Sequence, residues 1–141
     1  MDIERVIDIA APQGTVWSIM SDVERWPEWT ASVARVERLD TAPLAVGSRV
    51  RIHQPYLPTA VWTVDVFDPP RFFQWRSVTP GLTSVAGHRI EATAPTRSRA
   101  TLSIAWSGWL APVIRLLYGR LSRRYVEMEA QGLERRSETH Q

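Results

Sequence analysis

Three side chains in this sequence have the chemistry to work on a small molecule: Gln54, Tyr56 and His88. An imidazole with an ordinary pKa of about 6.5 exists in both protonation states near neutrality, so His88 suits a general acid or base, or a donor that orients a carbonyl. Its neighbours two apart are Ala86, Ile90 and Ala92, which makes it one polar group in the apolar inward face of a strand. The same position equally suits a core histidine with a single hydrogen bond. Gln54 shares an inward face with Ile52, and Tyr56 falls in the connection Gln54-Pro55-Tyr56-Leu57-Pro58, where two prolines stiffen the chain. His53 falls on an outward face and His140 in a polar tail, and neither has an expected role.

Other chemistries have no foothold. Cysteine is absent, which removes thiolate nucleophiles, disulfides and cysteine metal sites. The chain has no phosphate-cradling glycine loop, no His, Asp and Glu at metal-ligand spacing, and no serine in a G-x-S-x-G setting. No metal and no cofactor is therefore expected. Any catalysis would rest on holding a reactive molecule in a folded shape and polarising one carbonyl.

The charge balance narrows the partners. All 17 basic residues are arginine, set against 15 acids, and the net charge is only +2. The isoelectric point of 9.7 thus reflects arginines that do not titrate rather than a basic field, and nucleic acid is not an expected partner. Arg120, Arg123 and Arg124 form a cluster that Glu127 and Glu129 follow at once, which reads as a solvated helix face. No run approaches the roughly 20 apolar residues of a membrane span, and the acids in MDIERVIDIA are unlike the start of a secretory leader. The expectation is a cytoplasmic monomer or homodimer without stable membrane insertion.

The elements that must position these groups are read from periodicity. Ile3, Ile7 and Ile9 alternate with acids over residues 2–10, the pattern of a half-buried strand. Pro12 opens a short helix carrying Val16, Trp17, Ile19 and Met20, and Asp22 starts a second one that Pro27 ends or kinks. Further strands are predicted at 33–39, 48–54, 60–67, 71–78, 84–93 and 99–107, joined by short Pro- and Gly-rich turns that imply an antiparallel meander. Beyond Trp109 the spacing turns helical, with Leu110, Ile114, Leu117, Leu121 and Met128 on one stripe as far as about Gly132. Residues 1–136 then form one domain, and 137–141 a polar C-terminal tail.

Aromatic residues gather on the inward faces. The chain holds seven tryptophans, each able to bury roughly 150–250 Å². Alternation puts Trp62, Val64 and Val66 on one face of the fourth strand, Phe73 and Trp75 on the fifth, and Leu102, Ile104 and Trp106 on the seventh. If those faces are concave they line one cavity; otherwise they simply fill the core.

The segments "IDIAAPQGTVWSIMSDVERWPEWTASVARVERLD", "VGSRVRIHQP", "FFQWRSVTPG" and "RYVEMEAQGLERR" resemble the polyketide cyclase/dehydrase-like branch of the START-like superfamily, also called SRPBCC or Bet v 1-like. The resemblance spans almost the whole chain, and its most specific part is AP-x4-W followed by DVERWPEW. It implies an α+β helix-grip fold, in which a curved seven-stranded antiparallel sheet wraps around a long C-terminal helix, with two short helices between strands one and two.

On that architecture the expected ligand lining is Ile52 and Gln54, Trp62 and Val64, Phe73 and Trp75, His88 and Ile90, and Ile104 and Trp106 from successive strands. Trp26 and Trp29 would close the side, Trp109 and Leu117 the top, and Tyr56 would gate the mouth beside the Pro80-Gly81-Leu82 turn. The expected function is binding of a small hydrophobic ligand, such as a lipid, polyketide or isoprenoid. The alternative is a polyketide aromatase/cyclase or dehydratase using His88, Gln54 or Tyr56. A third reading, an interaction module without ligand chemistry, calls for a cavity collapsed onto Trp62, Trp75 and Trp106.

Overall fold

The alternation in the first ten residues makes β1 (Ile3–Ile9), which buries Ile3, Ile7 and Ile9. In the computed structural model, which describes residues 1–139, it is followed by α1 (Gln13–Ser21) and a 3-10 helix (Val23–Glu28) that contains Pro27. Then come β2 (Arg35–Arg38), β3 (Arg49–His53), β4 (Ala60–Asp68), β5 (Phe72–Thr79), β6 (Leu82–Ala94), β7 (Arg97–Ser107) and α2 (Ala111–Thr139). His140 and Gln141, the last residues of the expected tail, lie outside the described residues.

All seven strands form one antiparallel sheet in the order β1-β7-β6-β5-β4-β3-β2. From β2 to β7 each strand pairs with its successor, as short turns require, and β1 closes the far edge against β7 with Ile3 opposite Ile104 and Ile9 opposite Ser98. This is the helix-grip architecture: α2 lies against the β1 and β7 end of the sheet and beside α1. No helix among the described residues is long and apolar enough to cross a membrane.

One bulge moves a side chain that simple alternation had assigned inward. Pairing of β4 with β5 shifts between Val64 and Val66, so Val66 turns outward and Phe67 packs on the core against Trp17. Ala92 of β6 keeps its register opposite Ser98 yet is exposed near the end of the strand.

The buried stripe of α2 also differs from the expected one. It consists of Ala111, Ser122, Tyr125, Val126, Ala130, Leu133 and Ser137, whereas Leu117 is exposed and Leu121 and Met128 are only partly covered. Close approach explains why small residues win here. A Cβ on Gly132 would sit 2.0 Å from the carbonyl oxygen of Trp29, so the helix meets the preceding loop backbone to backbone. The helix also runs past Gly132 to Thr139, with Glu138 accepting a hydrogen bond from the Ala10 amide at 3.0 Å.

Candidate functional site

Between the sheet and α2 lies a cavity of about 50 Å³. Its wall is built by Trp26 from the 3-10 helix, Ile52 and Gln54 from the end of β3, Trp62 of β4, Trp75 of β5, Ala86 to His88 of β6 and Leu102 to Ile104 of β7. The helix side is Ser122, Tyr125, Val126 and Glu129. The indoles form a continuous cluster: Trp75 lies 5.3 Å from Trp26 and 6.1 Å from Trp62, centroid to centroid. One water occupies about 30 Å³ of liquid, so the void accommodates one or two waters in this closed form.

His88 is the polar centre of the sheet wall. Its ring stacks on Phe73 at 4.2 Å and stands edge-on to Trp75 at 5.2 Å. Nδ1 lies 3.2 Å from the Phe73 carbonyl oxygen, which can only accept, so Nδ1 carries the proton and the neutral ring leaves Nε2 as a bare acceptor. Burial drives the pKa down to about 4, partly opposed by that bond, and the ring is neutral at physiological pH.

Glu129 supplies the opposite chemistry from the helix wall. The cluster of charges around it in sequence suggested a solvated face, but the helical turn that buries Tyr125, Val126 and Ala130 also carries Glu129 inward. Some of its surface remains accessible, consistent with a side chain that lines a void. Burial pushes its pKa up to about 7, opposed only by a hydrogen bond from Ser32. Ser32 is itself fully buried, with its hydroxyl 2.6 Å from that of Thr30. Thr30 Oγ1 also receives the Ser32 amide at 3.3 Å, so the two hydroxyls and that amide form a buried polar cluster beside the carboxyl.

The mouth is latched by one bond. The Tyr125 hydroxyl donates to the carbonyl of Pro55, tying the Gln54 to Pro58 connection to α2, and Leu57 of that connection reaches the cavity wall. Tyr56 holds a left-handed backbone at φ 65°, and its ring is 88% exposed.

The structure brings Trp26, Ile52, Gln54, Trp62, Trp75, His88 and Ile104 together around the void. Val64, Phe73 and Ile90 are buried in the core behind that wall. Trp29 packs against Trp26 at 5.7 Å and faces an outer groove with Gly132 and Arg136, while Trp106 is anchored by its amide to Asp2 at 2.7 Å. Trp109 and Leu117 stand in solvent, 76% and 65% exposed, so neither roofs the cavity. Sequence reasoning missed Glu129, Tyr125, Ser122 and Val126. The available signal was their helical spacing: 122, 125, 126 and 129 share one face with Leu133.

The sequence profile of the family described as polyketide cyclase/dehydrase and lipid transport matches residues 1–138. The chain belongs to that family. Within the polyketide cyclase/dehydrase and lipid transport fold, the chain is similar to the ZhuI aromatase/cyclase from Streptomyces sp. R1128, at 19% identity and a TM-score of 0.79, covering 96% of this chain and 92% of the other. A START superfamily protein from Mycobacterium smegmatis aligns at 17% identity and 0.77, covering 99% and 98%. Norcoclaurine synthase from Thalictrum flavum aligns at 10% identity and 0.76, covering 99% and 87%. Likeness at these identities shows the shared fold. Among curated proteins, none matches the sequence.

Proposed function

We propose that the chain binds a small, largely apolar molecule of lipid, polyketide or isoprenoid type in the cavity between sheet and helix. The observation that carries this reading is the convergence of Trp26, Trp62 and Trp75 on a void that also exposes an unpaired His88 Nε2 and the Glu129 carboxyl. Apolar walls with a few placed polar groups are what a small-molecule site needs.

Sites for drug-sized ligands span roughly 300–1,000 Å³, so the cavity must widen on binding. Two movable parts border it: the partly buried Trp62 ring, and the Gln54 to Pro58 connection held by the Tyr125 latch. A collapsed interaction module would have Trp62, Trp75 and Trp106 filling the space. Here a void remains beside the first two, and Trp106 lies outside it. The test is tryptophan quenching on titration with decanoic acid, 2-naphthol and farnesol. Saturable quenching by at least one of them supports the reading, and silence from all three removes it.

A second reading, an aromatase/cyclase or dehydratase, is favoured by one specific pairing. Burial splits the two ionisable groups of the cavity apart, leaving His88 neutral with a free lone pair and Glu129 partly protonated at neutral pH. A proton acceptor and a proton donor facing one void are the equipment for enolisation and dehydration of a carbonyl chain. On this reading Glu129→Gln and His88→Phe each abolish turnover of a poly-β-ketone substrate while leaving its binding intact.

A further inference from the structure

Three donors of this cavity wall are committed within the protein, and the others are neutral. The Tyr125 hydroxyl is committed to Pro55, the Trp26 indole N–H to the Met20 carbonyl at 3.0 Å, and the one proton of His88 to Phe73. What faces the void is His88 Nε2, the Glu129 carboxyl and the indoles of Trp26, Trp62 and Trp75. The donors that remain on the wall, the Gln54 amide, the Ser122 hydroxyl and the Trp62 and Trp75 indoles, carry no charge.

The chain has 17 arginines, yet no arginine lines the cavity. Three arginines of the surrounding strands are occupied elsewhere: Arg5 with Glu127, Arg76 with Asp65 at 2.7 Å, and Arg89 over the Phe72 ring at 4.5 Å. Glu129 therefore sits in the protein without a cationic partner, held by one neutral hydroxyl. A buried carboxylate is tolerable only if it is paired or neutralised. Electron-rich rings around a carboxyl are also the surroundings that attract an organic cation.

Resting on the reading that this cavity binds a small apolar molecule, the geometry points to a ligand that carries a protonated amine on its apolar body, with the ammonium seated between Glu129, His88 Nε2 and the three indoles. The ammonium gives its N–H donors to His88 Nε2 and the Glu129 carboxyl, and its charge supplies the partner that Glu129 lacks. The void of about 50 Å³ matches a head group of that size, so only the apolar body requires the cavity to widen. A carboxylate ligand would place like charge against Glu129 and is disfavoured.

The experiment titrates the intact chain with 2-phenylethylamine, 2-phenylethanol and 3-phenylpropionate near neutral pH, reading tryptophan emission, and repeats the series with dodecylamine, dodecanol and dodecanoate below their micelle concentrations. We expect the amine of a series to bind at least about tenfold more tightly than its alcohol, with the carboxylate weakest. Glu129→Gln should reduce the amine preference over the alcohol to within about threefold, as its neutral amide keeps the shape and removes the charge. Amine and alcohol binding alike, a carboxylate binding best, or an amine preference that survives Glu129→Gln each overturn the inference while leaving the apolar cavity standing. Failure of all six probes to bind removes the cavity reading beneath it.

Discussion

Replacing Glu129 by glutamine is expected to tilt a pH–stability profile that is level in the wild type. Folding holds the Glu129 carboxyl up at about 7 against an ordinary 4.5, so its stabilising contribution is complete below 4.5 and lost as pH rises through 7. His88 runs the other way. Its folded pKa of about 4, against an ordinary 6.5, gives a contribution that is complete above 6.5 and lost as pH falls through 4. Each group displaced by a whole proton changes stability by about 1.4 kcal/mol per pH unit, and between about pH 5 and 6.5 the two slopes oppose and cancel. The surface carboxylates with depressed pKa values, Asp2, Glu37, Asp40, Asp68 and Glu127, titrate below this window.

In Glu129→Gln only the histidine slope survives, so stability should rise by about 2 kcal/mol from about pH 5 to 6.5. His88→Phe keeps the stack on Phe73 and should show the mirror image, a fall of about 2 kcal/mol across the same range. Urea unfolding followed by tryptophan emission at half-unit pH steps reads both slopes, and they are independent of any constant loss of stability. Variant profiles that run parallel to the wild type would refute the burial of both groups.

Three further outcomes follow from packing. Gly132→Ala should cost more than about 2 kcal/mol, because its Cβ has no space beside the Trp29 carbonyl, whereas Gly119→Ala in the same helix meets nothing within 4 Å and should stabilise by up to about 1 kcal/mol; thermal melts of the pair test this. Trp75→Ala should destabilise by about 3–5 kcal/mol in urea, since the ring is buried among Trp26, Trp62 and Phe73. Tyr125→Phe should cost only about 1 kcal/mol overall but release the latch on Pro55, which hydrogen exchange would register as faster exchange at Leu57 without change in β6 and β7.

The strands were legible because a half-buried antiparallel sheet imposes a period of two, and the inward aromatics Trp62, Trp75 and His88 followed from it. Alternation fails where a residue is inserted: the bulge that turns out Val66 leaves no mark in hydropathy. Nor does it tell whether a strand end is covered, as Ala92 shows. The orientation of α2 was misread because Leu117 looks like core, while the buried face mixes Tyr125, Val126 and Leu133 with Ser122, Ala130 and Gly132, and at Gly132 the backbone of Trp29 leaves no space for a side chain. The same rotation of the helix concealed Glu129 among surface charges. Tyr56 and Trp109 show that a large ring in a turn carries no information about burial.

Intermolecular nuclear Overhauser effects from bound 2-naphthol reveal where a ligand sits. The structure predicts contacts to the rings of Trp62, Trp75 and His88 and to the side chain of Val126, all on the cavity wall. Contacts confined to Trp109, Leu116 and Leu117, the exposed apolar residues at the start of α2, would contradict it.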